Sequence, residues 1–317
     1  MSSEPLMVLV GPTAVGKTSL AVQICQRFEA EIINADSVQV YRGLDIGSAK
    51  PTADELAAAK HHLVDVVDAS QDFDAARFAG LAEQAINDIQ SRGKRVLVAG
   101  GTGLYIKALL FGLAPLPSVD EKLRRQLSDE WQCLGPAAMH ARLAQLDAES
   151  AGRLHPNDRQ RVLRALEVCL QTGEPLSERQ KKHAFASPRH QHFTLGLTRP
   201  KAELDARIAE RCHAMWEQGL ADEVRGLLKR GVPSESKSLG SLGYAQALRY
   251  LHGELSREEA TAEMIARTKA YAKRQLTWFR GMEGIHWQSP HDHSAIFELT
   301  AQHWSPKRQK APREQLA

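Results

Sequence analysis

The segment GPTAVGKT, residues 11–18, matches the phosphate-binding pattern GxxxxGK[ST]. Gly11 and Gly16 let the backbone curl so that several N–H groups point inward, and a helix beginning at Lys17 adds the positive end of its dipole. Lys17 brings a cation, and the Thr18 hydroxyl stands where it can ligate Mg²⁺. We therefore expect a diphosphate or triphosphate group, with ATP as the default carrier, to bind residues Gly11, Pro12, Thr13, Ala14, Val15, Gly16, Lys17 and Thr18.

A carboxylate follows the second short β-rich run of the chain. Residues 31–34 predict a strand, and Asp36 lies just beyond it, at the carboxyl edge of the sheet, where the phosphate loop also lies. An Asp after a strand commonly caps a turn. Beside an occupied phosphate loop the same carboxylate is also placed for proton transfer.

An NTP-hydrolysing protein of this kind usually places an acidic residue after an apolar strand to support Mg²⁺. Here residues 95–99 run directly into GGTGLY, which contains no carboxylate. Asp65 or Asp68 could substitute for the missing residue. The pattern therefore argues against an ATPase.

These groups need a sheet to position them, and the order of elements predicts a parallel one. Helical patterns at 17–28 and 75–90 alternate with short strand-like runs, which are residues 6–10, 31–34, 63–67 and 95–99. Such alternation is typical of a parallel sheet covered by helices on both faces. The predicted fold class is α/β, a P-loop NTPase-like parallel sheet flanked by helices.

The pattern changes after residue 112. Residues 113–118 form a Pro-containing linker, and the chain beyond it predicts only helices, at about 120–131, 136–145 and 158–172. Strand character returns at 192–198, followed by helices at about 201–217, 221–230, 241–252 and 257–280. We therefore expect a catalytic core of residues 1–112 and 191–300, an all-helical insertion domain of residues 113–190, and a flexible basic tail of residues 301–317.

Composition narrows the class of protein. The 317 residues are 43% hydrophobic and 25% charged, and Lys+Arg minus Asp+Glu is 41 − 38 = +3, which permits an anionic partner without requiring one. The four cysteines include no CxxC pair, which argues against a zinc site or a disulfide framework and favours a cytoplasmic protein. No apolar run approaches the length of a membrane span, and the N-terminus lacks the features of a signal peptide. We expect a monomer.

Beside the phosphate loop, the chain contains several longer motifs, which are NADSVQVYRGLDIGSAKP (34–51), HHLVDVVD (61–68), VAGGTGLYIKALLFGLAPLP (98–117), HPNDRQRVLRALEV (155–168) and KRQLTWFRG (273–281). Together they resemble one family, the bacterial tRNA dimethylallyltransferases, also called tRNA isopentenyl transferases. The resemblance covers the chain up to about residue 287. It implies transfer of a dimethylallyl group from dimethylallyl diphosphate to the exocyclic amine of the adenosine 3′-adjacent to the anticodon, and an insertion that grips the anticodon stem-loop of tRNA.

The resemblance also implies roles for single residues. Asp36 resembles the general base of the family, and Arg211 resembles an arginine that holds the diphosphate beside Lys17. A phosphate loop without NTP hydrolysis is then explained, because the leaving group is diphosphate.

The same comparison implies RNA contacts. Asp36, Ser37, Val38 and Gln39 would meet the extruded base, and Thr102 resembles a further RNA contact. In the insertion, Gln160, Arg161 and Arg164 share a helical face, and the RNA candidates there are Arg124, Gln160, Arg161, Val162, Leu163 and Arg164. The last candidate segment is Gly240, Ser241, Leu242, Gly243, Tyr244 and Ala245, in which family members often carry arginines at the first and last positions.

Residues 267–280 form a basic stretch with interleaved aromatic residues. It predicts a helix that binds the RNA backbone, although its aromatic residues are also typical of a core.

Two alternatives keep part of this pattern. A P-loop kinase acting on a nucleoside or other small molecule would use the same loop and could use Asp36 as its base. A non-catalytic RNA-binding switch protein would keep the basic helices and leave Asp36 without a role.

Overall fold

The computed structural model describes residues 4–114, 116–117, 120–183 and 187–304. The chain divides into two compact units, Met1–Leu110 with Arg189–Ala317 and Phe111–Pro188. The second unit therefore begins and ends two residues before the expected insertion.

A parallel sheet forms the centre of the first unit, and the predicted fold class is confirmed. Its spatial order is β3-β2-β4-β1-β5-β6, and all five strand pairs are parallel. Within the described residues the strands are β1 (Leu6–Val10), β2 (Ala30–Asn34), β3 (His61–His62), β4 (Arg95–Gly100), β5 (His192–Leu197) and β6 (Ile285–Gln288).

Thirteen helices accompany the sheet in the part of the chain that the structure describes. In the first part of the sequence they are α1 (Lys17–Phe28), α2 (Ala53–Ala58), α3 (Ala75–Ser91) and α4 (Gly103–Phe111). The second unit contains α5 (Glu121–Leu146), α6 (Ala148–Arg153), α7 (Arg159–Thr172) and α8 (Leu176–His183). The remaining helices are α9 (Lys201–Glu217), α10 (Leu220–Lys229), α11 (Tyr244–Leu251), α12 (Arg257–Arg280) and α13 (His293–Trp304).

Burial explains why the first strand and helix form where they do. Every residue of β1 is buried, as expected for a strand with neighbours on both edges. Helix α1 begins immediately after Gly16, whose φ of 107° suits glycine, and packs against β1, β2 and β4. The phosphate loop is thus held between a buried strand and the first turn of a helix.

The strand expected at residues 63–67 was wrong. Leu63 and Asp65 have φ values of 63° and 57°, and this left-handed conformation interrupts an extended chain. Pairing with β2 is made instead by His61 and His62, and Tyr41 forms a single bridge to Val67.

The tail expected from residue 301 starts too early. Residues 301–304 are the last turn of α13, and Trp304 is buried, with its ring edge against Phe28 and its Nε1 donating to the Pro5 carbonyl. Residues 305–317 lie outside the described residues.

The described part of the second unit consists of helices without strands. Two helices were expected at 120–131 and 136–145, and α5 does consist of two helical segments that meet at a break at Gly135, whose φ and ψ of 79° and 170° are not helical. Its core is apolar and includes Leu127, Met139, Leu143, Val162 and Leu166. Among the described helices of either unit, none is both long and apolar enough to cross a membrane.

Candidate active site

A cavity of about 290 Å³ opens at the carboxyl edge of the sheet. Its lining combines the phosphate loop with Asp36 and Arg211, and the loop contributes Thr13, Lys17 and Thr18. Gln39 also lines it. The fold therefore brings the predicted anion site and the predicted base to one cavity.

The phosphate loop has the conformation that its glycines permit. Gly11 has a φ of 151°, and a Cβ there would lie 2.8 Å from the Leu197 carbonyl oxygen. The Lys17 ammonium donates to the carbonyls of Gly11 and Pro12 at 3.0 and 2.8 Å. Burial lowers the pKa of Lys17 to about 8, an effect that Asp36 opposes and Arg211 strengthens.

Three arginines, just after β5 and on α9, donate hydrogen bonds to the phosphate loop. Arg211 donates to the Thr13 hydroxyl, and burial lowers its pKa. Arg207 donates to the Ala14 carbonyl at 2.9 Å, and Arg199 to the Val15 carbonyl at 2.8 Å. Neither Arg199 nor Arg207 was predicted from the sequence. A signal was present, because Arg207 precedes Arg211 by one helical turn and Arg199 follows β5 closely.

Asp36 has two differently engaged oxygens. Its Oδ1 accepts from the backbone N–H groups of Val38 and Gln39 at 2.8 and 3.2 Å, which is a turn-capping arrangement. Across the described residues, no protein group donates to its Oδ2. One oxygen therefore fixes the carboxylate while the other is available to a ligand in the cavity.

The turn that carries Asp36 is fixed by Thr102, at the end of the neighbouring strand β4. The Ser37 N–H donates to the Thr102 hydroxyl at 3.1 Å, and the Thr102 N–H donates to the Ala35 carbonyl at 3.2 Å. Gln39 is held separately through its amide, which donates to the carbonyls of Ser48 and Ala49 at 3.1 and 2.9 Å. Thr102 thus positions the Asp36 turn, and its contact with RNA stays a prediction.

Neither of the alternative acidic residues lines the cavity. Asp65 is ion-paired with Lys50, and Asp68 accepts from the Ser70 N–H and hydroxyl at 2.9 and 2.6 Å. Their suggested role as metal support is not favoured by these positions.

In the second unit, two of the predicted RNA residues have structural partners. Arg124 and Arg164 both donate to Glu167, at 2.9 and 3.0 Å, and Glu167 is only 3% exposed. Burial would raise the pKa of Glu167, but the hydrogen bonds from the two arginines lower it overall. Gln160 and Arg161 are exposed on α7.

The neighbouring α7 residues Val162 and Leu163 are buried in the core of that unit. Their side chains are therefore not presented to RNA, and any contact there would be made by the backbone.

The segment 240–245 also contains both buried and accessible residues. Tyr244 is fully buried, and its hydroxyl donates to Glu223 at 2.6 Å. Gly243 is buried as well, whereas Gly240 is exposed and Ser241, Leu242 and Ala245 are partly exposed. Only the latter four are accessible candidates.

Helix α12 contains the basic and aromatic residues of the stretch 267–280, and its binding to the RNA backbone stays a prediction. Phe279 is buried, while Lys273, Arg274 and Arg280 are exposed. Trp278 is 41% exposed and packs on the backbone of Gly103. The aromatic residues therefore divide between core and surface.

Comparison with known proteins identifies relatives over most of the chain. The profile of the family described as "IPP transferase" matches residues 39–282. A tRNA dimethylallyltransferase of Geobacter sulfurreducens is 46% identical over 286 residues, which are 90% of this chain and 92% of that protein. One from Anaeromyxobacter dehalogenans is 48% identical, covering 92% of this chain and 95% of the relative.

Solved structures agree with these matches. A full-length tRNA isopentenylpyrophosphate transferase from Bacillus halodurans superposes with a TM-score of 0.70 at 36% identity, covering 95% of this chain and 96% of that one. A eukaryotic dimethylallyltransferase acting on tRNA gives a TM-score of 0.77 at 30% identity, covering 95% of this chain and 77% of that one.

Proposed function

Because the chain belongs to the IPP transferase family, we propose that it is a tRNA dimethylallyltransferase. It transfers the dimethylallyl group of dimethylallyl diphosphate to the exocyclic N6 amine of the adenosine 3′-adjacent to the anticodon. The observation that carries this proposal is the cavity that Lys17 and Thr18 share with Asp36. An anion site and a base are thereby adjacent.

Asp36 acts as the base. The lone pair of an adenine amine is delocalised, so attack on the allylic carbon is helped when a carboxylate accepts the amine proton as the C–N bond forms. The same step breaks the bond between that carbon and oxygen, and diphosphate leaves with the bonding electrons. Oδ2 is suited to this role because Oδ1 is held by Val38 and Gln39.

The phosphate loop and two cations stabilise the leaving group. Negative charge develops on the diphosphate oxygens, and donors already fixed in place stabilise it without reorganising. Lys17 supplies a buried ammonium, and Arg211 supplies a guanidinium whose buried Nε is without a hydrogen-bond partner among the described residues.

A divalent ion fits the donors at this cavity. Within the described residues, no group of three or more His, Cys, Asp or Glu side chains is arranged to hold a metal ion, so an ion would take most of its ligands from diphosphate and water. Mg²⁺ binds phosphate sites in that way, and the Thr18 hydroxyl lines the cavity as its protein ligand. Bound there, Mg²⁺ would neutralise charge on the leaving diphosphate.

RNA binding is assigned to the second unit and to exposed residues of the first. Gln160 and Arg161 are the side chains of α7 best exposed for the anticodon stem-loop, while Arg124 and Arg164 contribute from their ion pairs with Glu167. The target adenosine must leave its stack to reach Asp36. We further propose that the enzyme is a monomer and works in the cytoplasm.

Family membership argues against the kinase and RNA-switch alternatives. The test is incubation with unmodified tRNA and labelled dimethylallyl diphosphate beside labelled ATP. We expect the label of the prenyl group, not of ATP phosphate, to appear in tRNA. Efficient tRNA-stimulated ATP hydrolysis without a prenylated product would refute the proposal.

A further inference from the structure

A buried amide on α12 joins two parts of the active site. Gln275 is 5% exposed, and its Oε1 accepts from the Thr13 N–H of the phosphate loop at 2.8 Å. Its Nε2 donates to the Gly101 carbonyl at 2.9 Å. One side chain therefore bonds the diphosphate site to the turn that follows β4.

That turn also holds the base. Thr102, the next residue, accepts from the Ser37 N–H beside Asp36. The Tyr271 hydroxyl interacts with both Thr102 and Gln275, and burial together with Asp36 raises the pKa of Tyr271 to about 12. The hydrogen bonds of Gln275, the peptide link from Gly101 to Thr102 and the Ser37–Thr102 hydrogen bond thus connect the loop for the leaving group with the segment that carries the base.

We propose that Gln275 is a positioning residue that fixes the distance and orientation between the diphosphate loop and Asp36; this inference rests on the proposed function. Both groups must meet one substrate pair, and an error of about 1 Å in such a geometry can lower a rate about 100-fold. The amide is suited to the task because it accepts at one end and donates at the other. A residue that acts only in this way changes kcat more than substrate binding.

Two independent variants break this connection. Gln275→Met keeps the approximate length and removes both hydrogen bonds. Gly101→Ala does not change Gln275 itself. The Cβ of the new alanine would lie 2.3 Å from the Gln275 Nε2, so the Gln275 amide must move away. The Gly101 backbone is not left-handed, so the substitution adds no conformational strain of that kind.

The matched control is Thr261→Val. Thr261 is a buried polar residue of the same helix, 7% exposed, whose hydroxyl donates to the Arg257 carbonyl. It lies 14 residues from Gln275, which is about 21 Å along a helix. It reports what the loss of a buried hydrogen bond in α12 does by itself.

The experiment measures single-turnover prenyl transfer to tRNA, the Kd for dimethylallyl diphosphate by calorimetry, and a melting curve for each variant. We expect Gln275→Met and Gly101→Ala to lower the rate about 10- to 100-fold with less than a threefold change in Kd. The transfer rate of the double variant should be about as low as that of either single variant, because both substitutions remove the same connection. Thr261→Val should transfer at the wild-type rate.

A folded Gln275→Met protein with the wild-type rate would overturn the inference, as would additive losses in the double variant or a loss confined to Kd. Wild-type protein that transfers no prenyl group would instead refute the proposed function, and the inference with it.

Discussion

Arg211 donates a hydrogen bond to the hydroxyl of Thr13, the residue whose backbone N–H is held by Gln275. The loop residue is thus fixed from α9 and α12 at once. The Arg211 guanidinium still has a buried Nε without a hydrogen-bond partner within the described residues. A buried N–H of this kind calls for an acceptor, which a diphosphate oxygen would provide.

Arg211→Lys should therefore weaken diphosphate binding although it keeps the charge. Lysine lacks the planar fork, so a charge-assisted hydrogen bond is lost, which corresponds to about 10- to 100-fold in affinity. Titration calorimetry with dimethylallyl diphosphate measures it. Arg225→Lys, at an exposed arginine of α10, is the control and should bind as the wild type does.

Binding of diphosphate should depend on the charge of Lys17. Burial lowers the pKa of Lys17 to about 8, so the ammonium form predominates below that pH and is lost above it. Because diphosphate favours the ammonium form, affinity should fall as the pH rises beyond about 8. Lys17→Arg remains charged over this range. Calorimetry from pH 6.5 to 9.5 should show that the affinity for diphosphate declines more steeply for the wild type than for Lys17→Arg. Any titration of the ligand itself affects both proteins equally. Parallel affinity curves would contradict the assignment.

The two oxygens of Asp36 allow its structural and chemical roles to be separated. Asp36→Asn keeps an acceptor for Val38 and Gln39 but cannot take a proton, so kcat should fall about 10²- to 10⁴-fold while the melting temperature stays near that of the wild type. Asp36→Ala should lose the same activity and, in addition, about 1 kcal/mol of stability. Single-turnover rates and melting curves on one preparation measure both. A folded and active Asp36→Asn protein would remove the base from the mechanism.

Two arginines of α7 should behave differently. Arg161 has an exposed side chain, so Arg161→Ala should weaken tRNA binding and reduce the slope of log K against log salt by about one. Arg164 supports the buried Glu167, so Arg164→Ala should lower the melting temperature of the protein as well. Filter binding at several salt concentrations and thermal unfolding distinguish them. Equal salt slopes for Arg161→Ala and the wild type would exclude the phosphate contact.

Much of the core could be predicted because local patterns determine it. Helix α1 was expected at its observed bounds, since the glycine at position 16 and the following apolar periodicity are both local signals. Residues 63–67 were misjudged because their apolar character resembles a strand, whereas Leu63 and Asp65 are left-handed in the folded chain. Backbone conformation there follows from tertiary packing, which a short window of sequence does not contain.

In the candidate site, too, some residues could be predicted from local sequence and others could not. Lys17 and Asp36 follow strands and could be located from the sequence, whereas Gln275 and, apart from its spacing to Arg211, Arg207 resemble ordinary polar residues on helices. Their importance arises from backbone groups of the phosphate loop that lie far away in the sequence. Periodicity reports which face of a helix is buried, but it does not report which carbonyl or amide that face meets.

The position of β1 between β4 and β5 affects how the chain folds while it is being synthesised. Strand β4 ends at Gly100 and β5 begins only at His192, so the ribosome must add about 90 residues before the second edge of β1 can be paired. At typical elongation rates that interval is roughly 5–20 s. Through this time a wholly apolar strand presents open backbone groups, the situation in which nascent chains associate wrongly. The second unit, whose helices form an apolar core of their own, can fold in the interval, and the larger catalytic unit is then completed last.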